Sequence, residues 1–355
     1  MRREEIAKNR LFNQQLLGTQ LTSAQQVVRH FGAMQAQDYA MSKWAVGVRK
    51  PATDSAIEEA INRGEIIRTH IMRPTWHLVA AEDLRWMLEL TAPHVKQPLS
   101  SMCKKYGLDN EFISRCYKII EQILEGNNYL TRKEIVEAIS QQNQGVDKIP
   151  ATLIMMSAEQ DGIVCNGPRR GKQITYALLD ERVPPASSID REEALTKLAL
   201  RYFTSHGPAS VQDFSWWSGL TMADSRKAIK MIEPELQKVQ TDKQTYWYRK
   251  GHLHENGIAG NVHFLPAFDE FLVSYKDRST VLDPVVTRQT ITINGIFRPV
   301  IVVDGQVVGL WKRTIKKDKV QITTHYFHPL PKSQNKALIE AIEQYGRFVE
   351  LATTT

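Results

Sequence analysis

The chain has 355 residues, 42% hydrophobic and 24% charged, the balance of an ordinary folded protein with room for two or three domains. No apolar run approaches the roughly 18 residues that a membrane helix needs, and the charged opening decapeptide leads into no apolar stretch of the kind that marks a signal peptide, so a cytoplasmic protein with no membrane partner is expected. A net charge of +7 and a pI near 9.2 favour a polyanionic partner, nucleic acid first.

The three cysteines, Cys103, Cys116 and Cys165, are far apart and form no Cys-x-x-Cys pair. Reduced structural thiols are expected, not zinc ligands.

In chain order, residues 6–17 have the apolar spacing of a helix, and Thr22 or Ser23 can cap a second helix at 24–31. The stretch Met34-Gln35-Ala36-Gln37-Asp38-Tyr39 follows, then a segment with Lys43, Trp44 and Arg49. A short helix is expected at 55–62, stopping at Gly64. Residues 66–72 and 75–79 make two strands about an Arg73-Pro74 turn. Three helices followed by a ribbon is the order of a winged helix.

That order recurs. Helices are expected at 111–125, at 132–140 behind a Thr131/Glu134 capping box, and at 151–160. A hairpin of 163–166 and 173–178 follows, with a basic tip at 167–172. After Pro184-Pro185 the order comes a third time: a helix at 191–205, one carrying Phe214, Trp216 and Trp217, one opened by Thr221, and a hairpin of 236–239 and 245–248. From Asn261 strands predominate, at 271–273, 289–293, 300–303 and 307–311, with Asp304-Gly305 as a two-residue turn. A helix at 333–345 closes the chain. The fold class is therefore α+β: winged-helix units at 1–105, 106–183 and 184–255, and a β-rich C-terminal domain at 256–355.

Two glutamines at i and i+2 share one face of an extended segment. Each amide offers a donor and an acceptor without charge, enough to hold a water or a base edge. Taken alone, this spacing is more often a solvated loop after a helix. Asp38 is adjacent, but in an extended chain its side chain points opposite to Gln37, which ranks it second as an assisting group. Trp76 and His77 are either core residues or the wall of a channel, with His77 a further assisting candidate.

Arg73, Arg169, Arg170, Lys172 and Arg278 are the candidate DNA-binding cations, together with Trp76. Lys312, Arg313, Lys316, Lys317 and Lys319 form the densest basic run, which fits a solvated lysine-rich strand edge at least as well. There is no glycine spacing of the Walker or Rossmann kind and no Gly-x-Ser-x-Gly elbow. His70 and His77 have no clear third ligand. A site with no metal and no cofactor is expected.

Four passages, residues 34–39, 68–78, 265–271 with Tyr275 to Arg278, and 299–305 with Gly309 and Trp311, resemble the AlkZ-like winged-helix DNA glycosylases and span most of the chain. The resemblance implies three tandem winged helices around a concave, basic DNA channel. It also implies an active-site Gln-x-Gln, matched here by Gln35 and Gln37; the YcaQ-like relatives carry Gln-x-Asp, so this chain sides with the AlkZ-like branch. The implied reaction removes cationic N7-alkylpurines from DNA, bulky adducts included, and in some members interstrand crosslinks.

The chemistry is compatible with these residues. An N7-alkylated purine is already cationic and leaves readily, so the enzyme needs to place a water beneath C1′ and stabilise an oxocarbenium-like sugar, not to supply a strong acid. Two neutral amides can orient that water.

The expected protein is a monomeric, monofunctional DNA glycosylase acting on double-stranded DNA with alkylated bases, nucleoid-associated when bound. The alternative is a tandem winged-helix DNA-binding regulator without catalysis. Against it, residues 55–62 and 151–160 carry few side chains suited to base edges, and a regulator has no use for Gln-x-Gln in its channel.

Overall fold

The computed structural model describes residues 1–142, 150–241, 244–254 and 259–354. Helices α1 (Arg3–Asn13) and α2 (Ala24–Phe31) lead into a short strand, β1 (Ala33–Gln35). Ser23 caps α2 by accepting from the Gln26 N–H at 3.1 Å. Helix α3 (Tyr39–Gly47) follows where the sequence offered no element; every residue from Met41 to Gly47 is buried, so no polar stripe marks it.

Helix α4 (Asp54–Asn62) and the hairpin of β2 (Ile66–His70) and β3 (Trp76–Ala80) come next, as expected. Helix α5 (Ala81–Lys105) is the largest departure. Pro93 and Pro98 lie inside it, and proline is ordinarily a helix breaker.

The second expected group is present as α6 (Asn110–Leu124), β4 (Leu130–Thr131), α7 (Arg132–Gln142), α8 (Ala151–Gln160), β5 (Val164–Asn166) and β6 (Thr175–Leu178), with a short α9 (Leu179–Arg182) after it. The capping box of α7 forms: Thr131 N–H donates to Glu134 at 2.7 Å and Glu134 N–H to Thr131 Oγ1 at 3.3 Å. The third group is α10 (Arg191–Ser205), α11 (Val211–Ser218), α12 (Met222–Ile232), β7 (Leu236–Gln240) and β8 (Thr245–Arg249).

The C-terminal part holds β9 (Val262–Leu265), α13 (Glu270–Val273), α14 (Thr287–Thr290), β10 (Val300–Val303), β11 (Gln306–Ile315), β12 (Lys319–Tyr326), α15 (Asn335–Val349) and β13 (Ala352–Thr354). Two strands expected here do not form. At 271–273 Asp269 caps the turn by accepting from Phe271 N–H at 2.9 Å, which outweighs the strand propensity of Phe and Val. Residues 289–293 divide between α14 and an isolated bridge from Ile291 to Phe297. Asp304 and Gly305 take φ of 49° and 83°, the positive pair that a two-residue turn between β10 and β11 demands. No helix among the described residues is long and apolar enough to cross a membrane.

The chain divides into two compact units. One comprises residues 1–58, 195–217 and 221–355. Its five-stranded sheet has the order β13-β12-β11-β10-β9. Trp44 of α3 is 1% exposed, sits 5.0 Å from the rings of Tyr345 and Phe348 on α15, and donates its indole N–H to the Phe264 carbonyl of β9 at 2.7 Å. Trp311 donates likewise to the Leu265 carbonyl at 2.7 Å. Each indole buries a large apolar surface and satisfies its one donor, so α3 is fixed to the sheet in register as well as in depth.

The other unit comprises residues 59–194 and 218–220. Its hairpin β2–β3 packs against α5 and α8, and its sheet β4-β6-β5 packs against α6, α7 and α8. Phe112, Cys116, Ile119, Ile120 and Leu124 recur at helical spacing and join Ile135, Ile139, Ile154 and Val164 in its core. At ~1.5–3 kcal/mol per buried large apolar side chain, this stripe is the main force holding α6 in place. All three cysteines are free and buried. Burial pushes the thiol of Cys116 up to about 11 and that of Cys165 to about 12, which makes them poor nucleophiles.

Candidate active site

The Gln-x-Gln stretch is where β1 gives way to α3. Gln35 ends the strand and is 7% exposed; Ala36 is fully buried; Gln37 is exposed. One amide is therefore held in the protein while its partner two residues on reaches solvent. Asp38 lies between Gln37 and α3, and its carboxylate accepts the Met41 N–H at 3.0 Å. That is an N-cap, which gives the side chain expected to assist the glutamines a defined local duty. Within α3, Lys43 is 3% exposed and paired with Asp54 at 2.6 Å and Glu58 at 2.7 Å, and Tyr39 OH donates to Glu58 at 2.7 Å.

Beneath the stretch lies a polar network with little access to water. Gln35 N–H donates to Glu270 Oε1 at 2.6 Å. Ser274 Oγ donates to Glu270 Oε2, and His206 Nε2 stands 3.6 Å from the same oxygen. Burial opposes ionisation of Glu270, but the hydrogen bonds and charge it meets from His206, Ser274 and Gln35 more than offset this and hold its carboxyl below the ordinary range. For His206, by contrast, burial is the largest influence and lowers its pKa.

Arg49, wholly buried, binds Asp269 through both Nη atoms at 2.8 Å and also donates to Gln14 Oε1 at 3.0 Å. Gln14 in turn donates to Tyr275 OH at 3.0 Å, and Tyr275 OH donates to the His206 carbonyl at 2.7 Å. Asp269 is thus satisfied by an arginine and by a backbone N–H, that of Phe271 at 2.9 Å. Glu270 and His206 were not anticipated. Glu270 was within reach, since it lies in the Leu265-to-Phe271 passage.

Of the other candidates, Arg278 belongs to the same unit. Its Nε donates to the Leu272 carbonyl at 2.8 Å, and its guanidinium lies 5.5 Å from the ring of Trp216 and 4.9 Å from that of Phe297. Trp217 is wholly buried, whereas Trp216 is 43% exposed.

The remaining candidates lie in the second unit. His77 is 0% exposed, with Nδ1 2.9 Å from the Thr75 carbonyl, so its placement is that of a packed core residue. Trp76 is half-buried, 3.9 Å from the His70 ring and 4.1 Å from the Arg68 guanidinium. His70 meets Glu159 at 2.5 Å, and that wholly buried carboxyl is raised by burial. Trp76, Arg68, Arg132, Lys133 and Tyr176 line a cavity of about 770 Å³. Arg73 is half-buried in the β2–β3 turn. At the tip between β5 and β6, Arg169 N–H is held by Asn62 Oδ1 at 2.9 Å, Arg170 pairs with Glu134, and Lys172 is exposed.

Known proteins resemble the chain over nearly its whole length. An interstrand DNA cross-link repair glycosylase of Streptomyces sahachiroi is 24% identical, the alignment covering 93% of this chain and 91% of that protein. The solved structure of Streptomyces sahachiroi DNA glycosylase AlkZ shares the fold, with a TM-score of 0.83 at 23% identity over 99% of this chain and 98% of that one. The class is that of the DNA glycosylases, enzymes that hydrolyse the bond between a base and its deoxyribose. Within it, the chain belongs to the DNA glycosylase AlkZ-like family, whose profile matches residues 28–348.

Proposed function

We propose that this enzyme excises cationic N7-alkylpurines from double-stranded DNA, bulky adducts and interstrand crosslinks included, with Gln35 and Gln37 as its catalytic groups. The observation that carries the reading is the burial gradient across Gln-x-Gln: Gln35 at 7% exposure, Gln37 open to solvent at the start of α3. Such an arrangement holds one amide rigidly and offers the other to a substrate. The C1′–N9 bond breaks with its electron pair passing to the purine, whose positive charge is thereby neutralised. A water held by the amides adds to C1′ of the oxocarbenium-like sugar and releases its proton to solvent. Neutral amides suffice because the leaving group is already activated.

DNA would lie in a concave channel formed by three tandem winged helices. Arg73, Trp76, Arg169, Arg170, Lys172 and Arg278 would contact it, and phosphate contacts of this kind add affinity without reading sequence. The ribbon of β11 and β12, with Lys312, Lys316 and Lys317 exposed toward its tip, supplies a further basic surface. The protein would work as a monomer, in the cytoplasm and on the nucleoid. The name of the Streptomyces relative, an interstrand DNA cross-link repair glycosylase, supports crosslinks as a substrate class.

The test is base release from duplexes carrying N7-methylguanine or an N7-linked crosslink. Alkali-sensitive abasic sites should form with the wild type and fall at least a hundredfold with Gln35→Ala/Gln37→Ala at unchanged DNA affinity, a loss on the scale of removing oriented hydrogen-bonding groups, roughly 10²–10³. Wild-type rates in the double variant would remove the glutamines from the chemistry.

A further inference from the structure

We infer that Glu270 is the positioning residue of the active-site strand: its carboxylate, clamped from behind, fixes the main chain at Gln35 and so sets where both amides stand. The inference rests on the reading of Gln35 and Gln37 as the groups that hold water.

Glu270 is 1% exposed. A buried carboxylate is costly unless its oxygens are well satisfied. Here Oε1 takes the Gln35 N–H at 2.6 Å, and Oε2 takes the Ser274 hydroxyl and faces His206. A neutral acceptor would satisfy one backbone N–H equally well in number of hydrogen bonds. A charged one makes a shorter bond, about twice as strong.

The clamp is itself anchored on both sides in the sequence. Asp269, the preceding residue, is bound to Arg49 by two hydrogen bonds of 2.8 Å. Tyr275, five residues on, bonds the His206 carbonyl at 2.7 Å, and the His206 ring stacks 4.7 Å from that of Tyr202 with Nδ1 2.8 Å from Ser205 Oγ. Neither the carboxylate nor the imidazole has room to drift. Since Gln37 is two residues beyond the clamped amide, any slack at Gln35 is passed to it. Misplacing a catalytic group by about 1 Å can cost on the order of a hundredfold in rate.

The experiment is single-turnover excision of N7-methylguanine by Glu270→Gln, with affinity for a duplex carrying a tetrahydrofuran abasic analogue measured alongside. Glutamine keeps the size and one acceptor oxygen and removes the charge. The expected result is a rate lowered about ten- to a hundredfold with DNA affinity within twofold of wild type, a split that a general loss of structure would not produce. A Glu270→Gln enzyme cutting at wild-type rate overturns the proposal, and so does a parallel loss of rate and affinity. Hydrogen exchange at the Gln35 amide of the wild-type protein gives a reading that needs no variant: strong protection supports the clamp, and exchange as fast as an open loop overturns it even if Glu270→Gln does not fold. Gln37→Ala in the same assay separates the two ideas. If Gln37→Ala is slow and Glu270→Gln is not, the clamp alone fails; if Gln37→Ala cuts at wild-type rate, the reading of the glutamines fails and takes the clamp with it.

Discussion

Arg49 grips Asp269 across 220 residues of sequence, its Nη1 on one carboxylate oxygen and its Nη2 on the other, each at 2.8 Å and with neither side chain more than 1% exposed. The same arginine donates to the carbonyls of Gln14 and Ala45. One guanidinium thus ties the end of α1, α3 and the start of α13 into a single support beneath the Gln-x-Gln stretch.

Removing one partner of such a pair leaves a buried charge without its counter-charge. Asp269→Ala is expected to lower unfolding free energy by about 3–5 kcal/mol, the scale of breaking a buried ion pair, and Arg49→Lys by less, because a lysine keeps the charge and loses the two-pronged geometry. Urea denaturation followed by tryptophan fluorescence measures both. A change for Asp269→Ala below about 1 kcal/mol, the size of an ordinary surface substitution, would show that the pair is not a support.

Stability should fall as the solution is acidified from pH 6.5 toward 4. His263 on β9 is 9% exposed, and burial, helped by the nearby Arg49 charge, lowers it to about 4. Its folded pKa lies below its unfolded value of about 6.5, so the unfolded chain takes up the proton first and the folded state loses ground across that window. The loss from this one group amounts to roughly 3 kcal/mol at most, and His206, lowered in the same direction, adds to it. Unfolding curves at pH 7 and pH 5 should separate for the wild type and draw together for His263→Gln. An equal pH dependence in the variant would exclude His263 as its source.

The ribbon of β11 and β12 offers a test of how DNA is held. Lys316 and Lys317 are exposed where the two strands turn. Replacing both with glutamine should weaken binding to any duplex sequence and reduce the slope of log affinity against log salt by about two, one for each phosphate that the variant leaves unneutralised. Titrations between low and moderate salt read this directly. An unchanged slope would leave these lysines as the solvated edge of a strand.

Much of this protein is legible in its sequence because the signals are local. The stripe from Phe112 to Leu124 makes α6, the Thr131 and Glu134 pair starts α7, and Asp304-Gly305 turns β10 into β11, each through interactions within a few residues. The Gln-x-Gln stretch could likewise be singled out by its residues, although its burial gradient could not.

What the sequence left open was decided by tertiary packing. Helix α3 has no polar face to betray it, because Trp44 and its neighbours are enclosed by α15 and β9. Residues 271–273 have the composition of a strand and form a helical turn, because Asp269 caps them while Arg49 holds Asp269. Gly309 gains its reason only in the sheet, where a Cβ would come within 2.4 Å of the His325 carbonyl oxygen on β12. Glu270 meets Gln35 across 235 residues. Composition and periodicity report what a residue does for its neighbours along the chain; a carboxylate that holds a distant backbone N–H leaves no such trace, and only the folded chain brings the two together.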